Sequence, residues 1–258
     1  MKKNKNFEIL VIIGLVILTL LLIGIYKIIE INKKRNTYTM IFSPYSILEC
    51  SKWECLDKTN DLNLYNNKNY NIFINGKYYG KQKLFYNDRN SKFYVFDEEN
   101  KNIYNSDDNL FTYDGSISIN QYNYTINDLK DYNVLNELIN TTDLEINLNQ
   151  VKYVSYDFDN DNNNENLYLI NSGFSEAPYF NALVYNNNSN YKLIAKDEVE
   201  DSLKNSTLNF TNLIDIYDDN KLEFIISKIY YDQIGTCNQL YRLKGNKYIP
   251  LNECEIVK

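Results

Sequence analysis

The residues best able to do chemistry lie in one short stretch of the C-terminal half. Asp157, Asp159 and Asp161 alternate, and Asn163 and Glu165 continue the same every-second-residue spacing. Hard cations such as calcium take six to eight oxygen ligands, and carboxylates spaced this way on a curled loop converge on one centre. The backbone carbonyl of Asn163 would then serve the seventh loop position and Glu165 the ninth. An EF-hand is excluded. Its bidentate acid at position twelve is replaced by Tyr168, and the flanks Lys152–Tyr156 and Asn166–Ile170 are strand-forming rather than helical. The chain has no histidine, which removes Ser-His-Asp and Cys-His nucleophilic sites and histidine-bearing metal sites. No phosphate loop or dinucleotide fingerprint is present. A glycosidase-type pair drawn from the 34 acids stays open as an alternative, although nothing singles out two of them.

The loop recurs. The segment 151–170 aligns with 209–228, so that Asp157, Asp161 and Glu165 match Asp215, Asp219 and Glu223, each 58 residues on. A hairpin starting at Leu183 matches one starting at Leu240, with one residue less of offset. Two copies at this period predict two similar β units, 148–197 and 205–258. In the second copy Tyr217 replaces an acid and Lys221 replaces Asn163, so weak or no metal binding is expected there.

Strand, Asp-x-Asp-x-Asp-Asn loop and strand within a tandem repeat resemble the calcium loops of FG-GAP and VCBS-type repeats, the blades of integrin-α-like β-propellers. In those loops Asp157, Asp159, Asp161 and Glu165 would occupy the acidic positions. Asn162 stands where glycine is usual, and asparagine enters the left-handed region more readily than most residues. The resemblance covers only the repeat region. It implies a β fold and calcium stabilisation, and it carries no activity with it. Two blades cannot close a propeller, which typically has about 4–8. Either the N-terminal hairpins add further sheets or the pair packs as a small open assembly, and the second is expected.

The four cysteines suit disulfides. Turning the last hairpin at Gly245-Asn246 pairs Lys244 with Lys247, Leu240 with Leu251 and Cys237 with Cys254. The cysteines then face each other across a non-hydrogen-bonded site, about 4.5 Å apart at Cα, within bonding range. Cys50 and Cys55 would form a local bridge. A four-thiolate zinc site fits less well, because Cys237 and Cys254 lack the tight spacing, and a redox pair would normally read C-x-x-C.

These elements need a scaffold and a location. Residues 7–29 form an apolar run with only Glu8 and Lys27 charged, and its stretch 9–29 would make a helix about 31 Å long, enough to cross a hydrocarbon core of roughly 30 Å. It is longer than a signal-peptide core, and no A-x-A-like site follows. A single-pass anchor in the lipid bilayer is expected, with residues 1–6 cytoplasmic. Lysines flank both sides, so the positive-inside count does not orient it. The even cysteine number and the calcium loop favour an extracellular domain. A net charge of −7 argues against nucleic acid as a partner, leaving cell-wall, glycan or protein partners.

The fold expected is mainly β, with one N-terminal transmembrane helix and one short amphipathic helix. A basic stem (30–44) leads to a β-hairpin subdomain (45–124) with turns at Asn75-Gly76, Asn87–Asn90 and Tyr113–Gly115. Leu129, Tyr132, Leu135, Leu138 and Ile139 then recur at helical spacing over 125–141, with Asn127 as cap. The 25 tyrosines reflect AT-rich codon usage and suit half-buried strands.

Overall fold

The structure is a computed structural model. It describes residues 18–25, 27, 38–42, 46–51, 54–58, 62–87, 92–97, 99, 101–105, 110–114, 119–173, 179–200, 205–216, 218–230 and 235–254. Residues 1–37 and 38–258 form two separate units. In the first, residues 18–25 and 27 are helical, with Leu20, Leu21 and Leu22 exposed. The rest of the expected anchor lies outside the described residues. Among the described residues no helix is long and apolar enough to cross a membrane.

The second unit is mainly β, in three antiparallel sheets. The N-terminal sheet has seven strands: β1 (Tyr38–Phe42), β2 (Ser46–Cys50), β3 (Cys55–Asp57), β4 (Lys68–Ile74), β5 (Lys77–Asn87), β6 (Lys92–Phe96) and β7 (Leu110–Tyr113). Their order in space is β3-β2-β1-β7-β4-β5-β6. A one-turn helix, α1 (Leu62–Tyr65), precedes β4. The basic stem needs correction here. Tyr38–Phe42 is a wholly buried strand near the middle of the sheet, because YTMIF is β-branched and apolar and pairs on both edges. The expected turn at Asn75-Gly76 joins β4 to β5, with both residues at positive φ, as a tight hairpin requires. Asp88–Asn90 and Gly115 lie outside the described residues.

The helix starts later than the sequence suggests. Ile126–Asp128 is a strand, β9, and α2 runs Tyr132–Thr142. Asn127 is a strand residue paired with Tyr153. Asp131 is the cap instead, since its carboxylate accepts from the Asn133 N–H at 2.8 Å.

The two repeats form two five-stranded sheets. The first repeat supplies β10 (Val151–Tyr156), β11 (Glu165–Asn171), β12 (Tyr179–Asn187) and β13 (Asn190–Val199), with β9 added beside β10. The second supplies β14 (Ser206–Asp215), β15 (Glu223–Tyr230), β16 (Gly235–Lys244) and β17 (Lys247–Pro250). Here β8 (Asn120–Tyr122) is added beside β14. Residues 123–125 carry the chain from one sheet to the other.

The sheets stack face to face in one direction. Val154, Leu167, Leu169 and Leu183 of the first pack on Phe210, Leu213, Phe224 and Ile226 of the second. Ile225, the repeat equivalent of Leu167, points the other way, with Ile214 and Leu240, onto Met40, Phe42, Phe73 and Phe111 of the seven-stranded sheet. Equivalent faces therefore all point along the stack. The outer face of the first repeat sheet, with Val151, Tyr168, Ile170 and Val184, is covered by Leu135 and Leu138 of α2. The open pair expected from the sequence is thus a three-sheet stack closed at this end by a helix.

Both disulfides form. Cys50 and Cys55 are register partners at the β2–β3 turn, 4.0 Å apart at Cα. Cys237 and Cys254 are bonded at a Cα separation of 5.7 Å. The register read from the last turn holds from Lys244–Lys247 to Tyr241–Pro250, but the ladder does not reach the cysteines. Beyond Pro250 the Leu251 N–H still donates to the Leu240 carbonyl at 2.8 Å, and the Asn252 side chain then takes over. Its Oδ1 accepts from Leu240 N–H at 2.9 Å, and its Nδ2 donates to the Asn238 carbonyl at 2.9 Å.

Candidate metal centre

The sequence brings the acids together by folding one loop tightly. β10 ends at Tyr156 and β11 begins at Glu165, and these two residues are the last register pair of the hairpin. Between them the chain curls. Asn160 and Asn162 have φ of 61° and 70°, left-handed conformations that asparagine tolerates better than most residues. Asp157 closes the curl, its two carboxylate oxygens accepting from the Asp161 and Asn162 N–H groups at 3.0 Å each. Phe158, fully buried, pins the loop into the inter-sheet core against Tyr185, Phe224 and Tyr248. Burying a phenylalanine in this way is worth about 1.5–3 kcal/mol. Glu165 Oε2 accepts from the Phe158 N–H at 2.8 Å. Core packing and backbone hydrogen bonds thus set the loop's shape.

The outcome is a group of four acids, Asp157, Asp159, Asp161 and Glu165, whose nearest oxygens all lie within 4.8 Å of one another. That cluster could hold a metal ion. Asn163 turns its N–H and its Nδ2 to Asp161 Oδ1, at 2.8 and 3.1 Å. Two observations fit a cation. Asp159 Oδ1 is buried and accepts no hydrogen bond, and the buried Tyr185 hydroxyl has no hydrogen-bond partner of ordinary geometry. Burial, then the charges of Glu165 and Asp159, push that hydroxyl well above the ordinary phenol range, with the Asn187 side chain opposing.

The acids also repel one another. Burial pushes Glu165 up to about 7, helped by Asp159, Asp161 and Asp157 and opposed by the Phe158 N–H. Asp159 is raised by burial first and then by Asp161 and Asp157, while the Asp161 N–H and the Lys221 charge oppose the shift. A bound divalent cation would reverse the sign of this environment for all four groups.

The second copy repeats the loop's geometry. Asp218 and Asn220, 58 residues beyond Asn160 and Asn162, take the same positive φ, at 51° and 59°. Glu223 Oε2 accepts from Ile216 N–H at 3.0 Å, as Glu165 does from Phe158. Asp215 Oδ2 accepts from Asn220 N–H and Asp219 Oδ1 from Lys221 N–H, at 3.3 and 3.1 Å. Tyr217 lies outside the described residues. The two loops touch, with Leu222 N–H donating to the Phe158 carbonyl at 2.9 Å.

Here a cation is already present, and the sequence reading missed it. Arg242, buried, places Nε 3.2 Å from Glu223 Oε1 and Nη2 3.1 Å from Asp219 Oδ2. Burial pushes Glu223 up to about 8, with the Ile216 N–H and the guanidinium opposing. Arg242 lies one step beyond the last β15–β16 pair, Phe224–Tyr241, and so stands opposite Glu223. The corresponding step beyond Asn166–Asn186 puts Asn187 opposite Glu165, so by strand pairing Arg242 corresponds to Asn187, two residues from the Leu183–Leu240 match read from the sequence. Asn187 is neutral, and its Nδ2 reaches Asp159 Oδ2 only at 3.4 Å. One loop has four acids facing an amide, and the other has its acids facing an arginine. Lys221, expected to disturb the second loop, acts on Asp159 of the first.

No protein-family model, curated protein or solved structure matches the chain.

Proposed function

We propose that the chain is a non-enzymatic binding or structural module on the outer face of a membrane, held there by residues 7–29 and stabilised by calcium. The ion would be held by Asp157, Asp159, Asp161 and Glu165, with the Asn163 carbonyl. The observation that carries this reading is the contrast between the two loops. The same turn is built twice; one copy sets Arg242 against Asp219 and Glu223, whereas among the described residues no ion pair reaches the four acids of the other, where the Lys221 charge acts on Asp159 from a distance. All-oxygen ligation and a spacing that resembles FG-GAP and VCBS-type loops favour calcium over softer metals. Two disulfides suit an oxidising, extracytoplasmic compartment.

The second reading is a carboxylate-dependent glycan hydrolase. It needs two carboxyl groups facing a substrate cleft. Among the described residues that line a cleft of about 570 Å³ beside the loop only Asp157 is acidic. Both its oxygens are engaged by the loop backbone. The binding reading is preferred for that reason.

Isothermal titration of the metal-stripped protein with calcium, then with magnesium, tests the assignment. One calcium per chain, bound more tightly than magnesium and lost in Asp159→Ala, is expected. Heat indistinguishable from buffer would remove the metal from the proposal. Incubation with cell-wall polymers tests the rest: retention without cleavage is expected, and released product would favour the hydrolase.

A further inference from the structure

Beside the first acidic loop a cleft of about 570 Å³ opens between the two repeat sheets. One wall is the crossover from β8 to β9, which contributes Tyr122 and Tyr124. The end of β10 adds Tyr156, in ring contact with Tyr122, and the acidic loops add Asn160, Asn164 and Asn220. The size is that of an ordinary small-ligand site.

The lining chemistry is narrow in type. Asparagine side chains offer a donor and an acceptor each, and Ser155 and Thr125 add hydroxyls. Among the described residues lining the cleft there is no lysine or arginine, so a phosphate or carboxylate ligand would have no counter-charge. Asp157 is the lone acid, and it is shared with the loop backbone and, on the proposed reading, with the metal, so a cationic ligand gains little. A purely apolar ligand would strip water from the amides without replacing its hydrogen bonds. A ligand with many hydroxyls, each both donor and acceptor, and with C–H faces to lay against tyrosine rings satisfies the whole lining. That description is a neutral carbohydrate.

The walls are fixed in advance, which reduces the cost of ordering them on binding. Tyr124 donates its hydroxyl to the Thr211 carbonyl at 2.7 Å and packs edge-on to Phe210 at 4.6 Å. Tyr122 and Tyr156 meet edge to face across 6.1 Å. Asn160 and Asn164 belong to the same loop as the four acids, so anything that tightens the loop also positions two of the cleft's amides.

We propose that this cleft binds a short neutral oligosaccharide and that the first acidic loop forms part of its wall. The proposal names the ligand class of the binding module described above and rests on that reading. Its dependence on calcium comes through Asn160 and Asn164, with no requirement that the sugar touch the metal.

The test uses the full-length chain in a detergent without a sugar headgroup. Titrations with chitotetraose, cellotetraose and maltotetraose are run in calcium and in chelator, beside thermal melts of the same samples. Saturable binding of at least one tetrasaccharide is expected, weaker in chelator. Tyr156→Ala and Asn164→Ala should each weaken it about tenfold, equivalent to ~1.4 kcal/mol, while Tyr132→Ala on the far helix leaves it unchanged. Asn164 is exposed, so its variant remains informative if Tyr156→Ala fails to fold. No saturable binding by protein that calcium still stabilises overturns the carbohydrate proposal and leaves the metal reading standing. Unchanged affinity in a folded Asn164→Ala overturns the placement in this cleft. Sugar binding without any calcium effect on melting supports the cleft and defeats the metal reading.

Discussion

Changing pH from about 8 to about 5 should move the calcium-loaded and calcium-free protein in opposite directions, because Glu165 is protonated in one and ionised in the other. Without a cation, burial and three like charges raise Glu165 from its ordinary value of 4.5 to about 7. For an acid raised on folding, the stabilising contribution is complete below the unfolded value and is lost as pH rises through the folded one. At 1.36 kcal/mol per pH unit the swing reaches about 3 kcal/mol at most, and less where solvent screens the exposed rim of the loop. In chelator the protein should therefore gain stability on acidification through this window. Calcium needs the carboxylate, so binding must expel the proton, and affinity falls as pH drops below about 7. At a hundredfold excess over Kd near pH 8, calcium adds about 2.7 kcal/mol, or roughly 5–10 °C in Tm for a domain of this size. Circular-dichroism melts in calcium and in chelator across the pH series should converge toward pH 5. Parallel curves would refute the role given to Glu165.

Three further outcomes are expected. Asp159→Ala should abolish the calcium shift in Tm and leave the melt in chelator unchanged or slightly higher, since Asp157 and Asp161 lose a like-charged neighbour; a surviving calcium shift would count against Asp159 as a ligand. Arg242→Met should cost about 3 kcal/mol in urea unfolding, the lower end for breaking a buried pair, because Glu223 can take up a proton and Asp219 is partly exposed. A loss below about 1 kcal/mol would mean that the arginine is not neutralising the loop. Removing the Cys237–Cys254 bridge should cost about 3 kcal/mol and the Cys50–Cys55 bridge about 2, as their sequence separations of 17 and 5 dictate in the chain-entropy model; denaturant titrations of the two double-serine variants giving the reverse order would contradict that account.

What was legible in the sequence was short-range or periodic. The Asn75-Gly76 and Gly245-Asn246 turns set hairpin register because two-residue loops demand positive φ. The offset of 58 residues set the correspondence of Asp157 with Asp215 and of Glu165 with Glu223, and the two loops share their left-handed positions. The missing parts depend on contacts distant along the chain. β7 inserts between β1 and β4, while β8 from the hairpin region and β9 from the segment expected to be helical edge the repeat sheets; no local pattern encodes either choice. Asp131 rather than Asn127 caps α2 because β10 recruits Ile126–Asp128 as a partner. Arg242 was missed because it comes to Glu223 by lateral pairing of β15 with β16, whose connecting residues 231–234 carry no turn signal that fixes the register.

The one-way stacking of the repeat sheets has a consequence for how such a chain can change over generations. Layers related by a two-fold would bury matching faces and leave no place for a third. Layers that all look the same way present a front to the next and a back to the last, so another copy of the unit would meet surfaces of kinds already in use. Duplication then needs no new interface, only a new connection. It also frees each copy to treat its loop differently, and here one carries a guanidinium of its own while its sister keeps four carboxylates. On the proposed reading, the same turn serves once as a permanent fastening and once as one that answers to calcium.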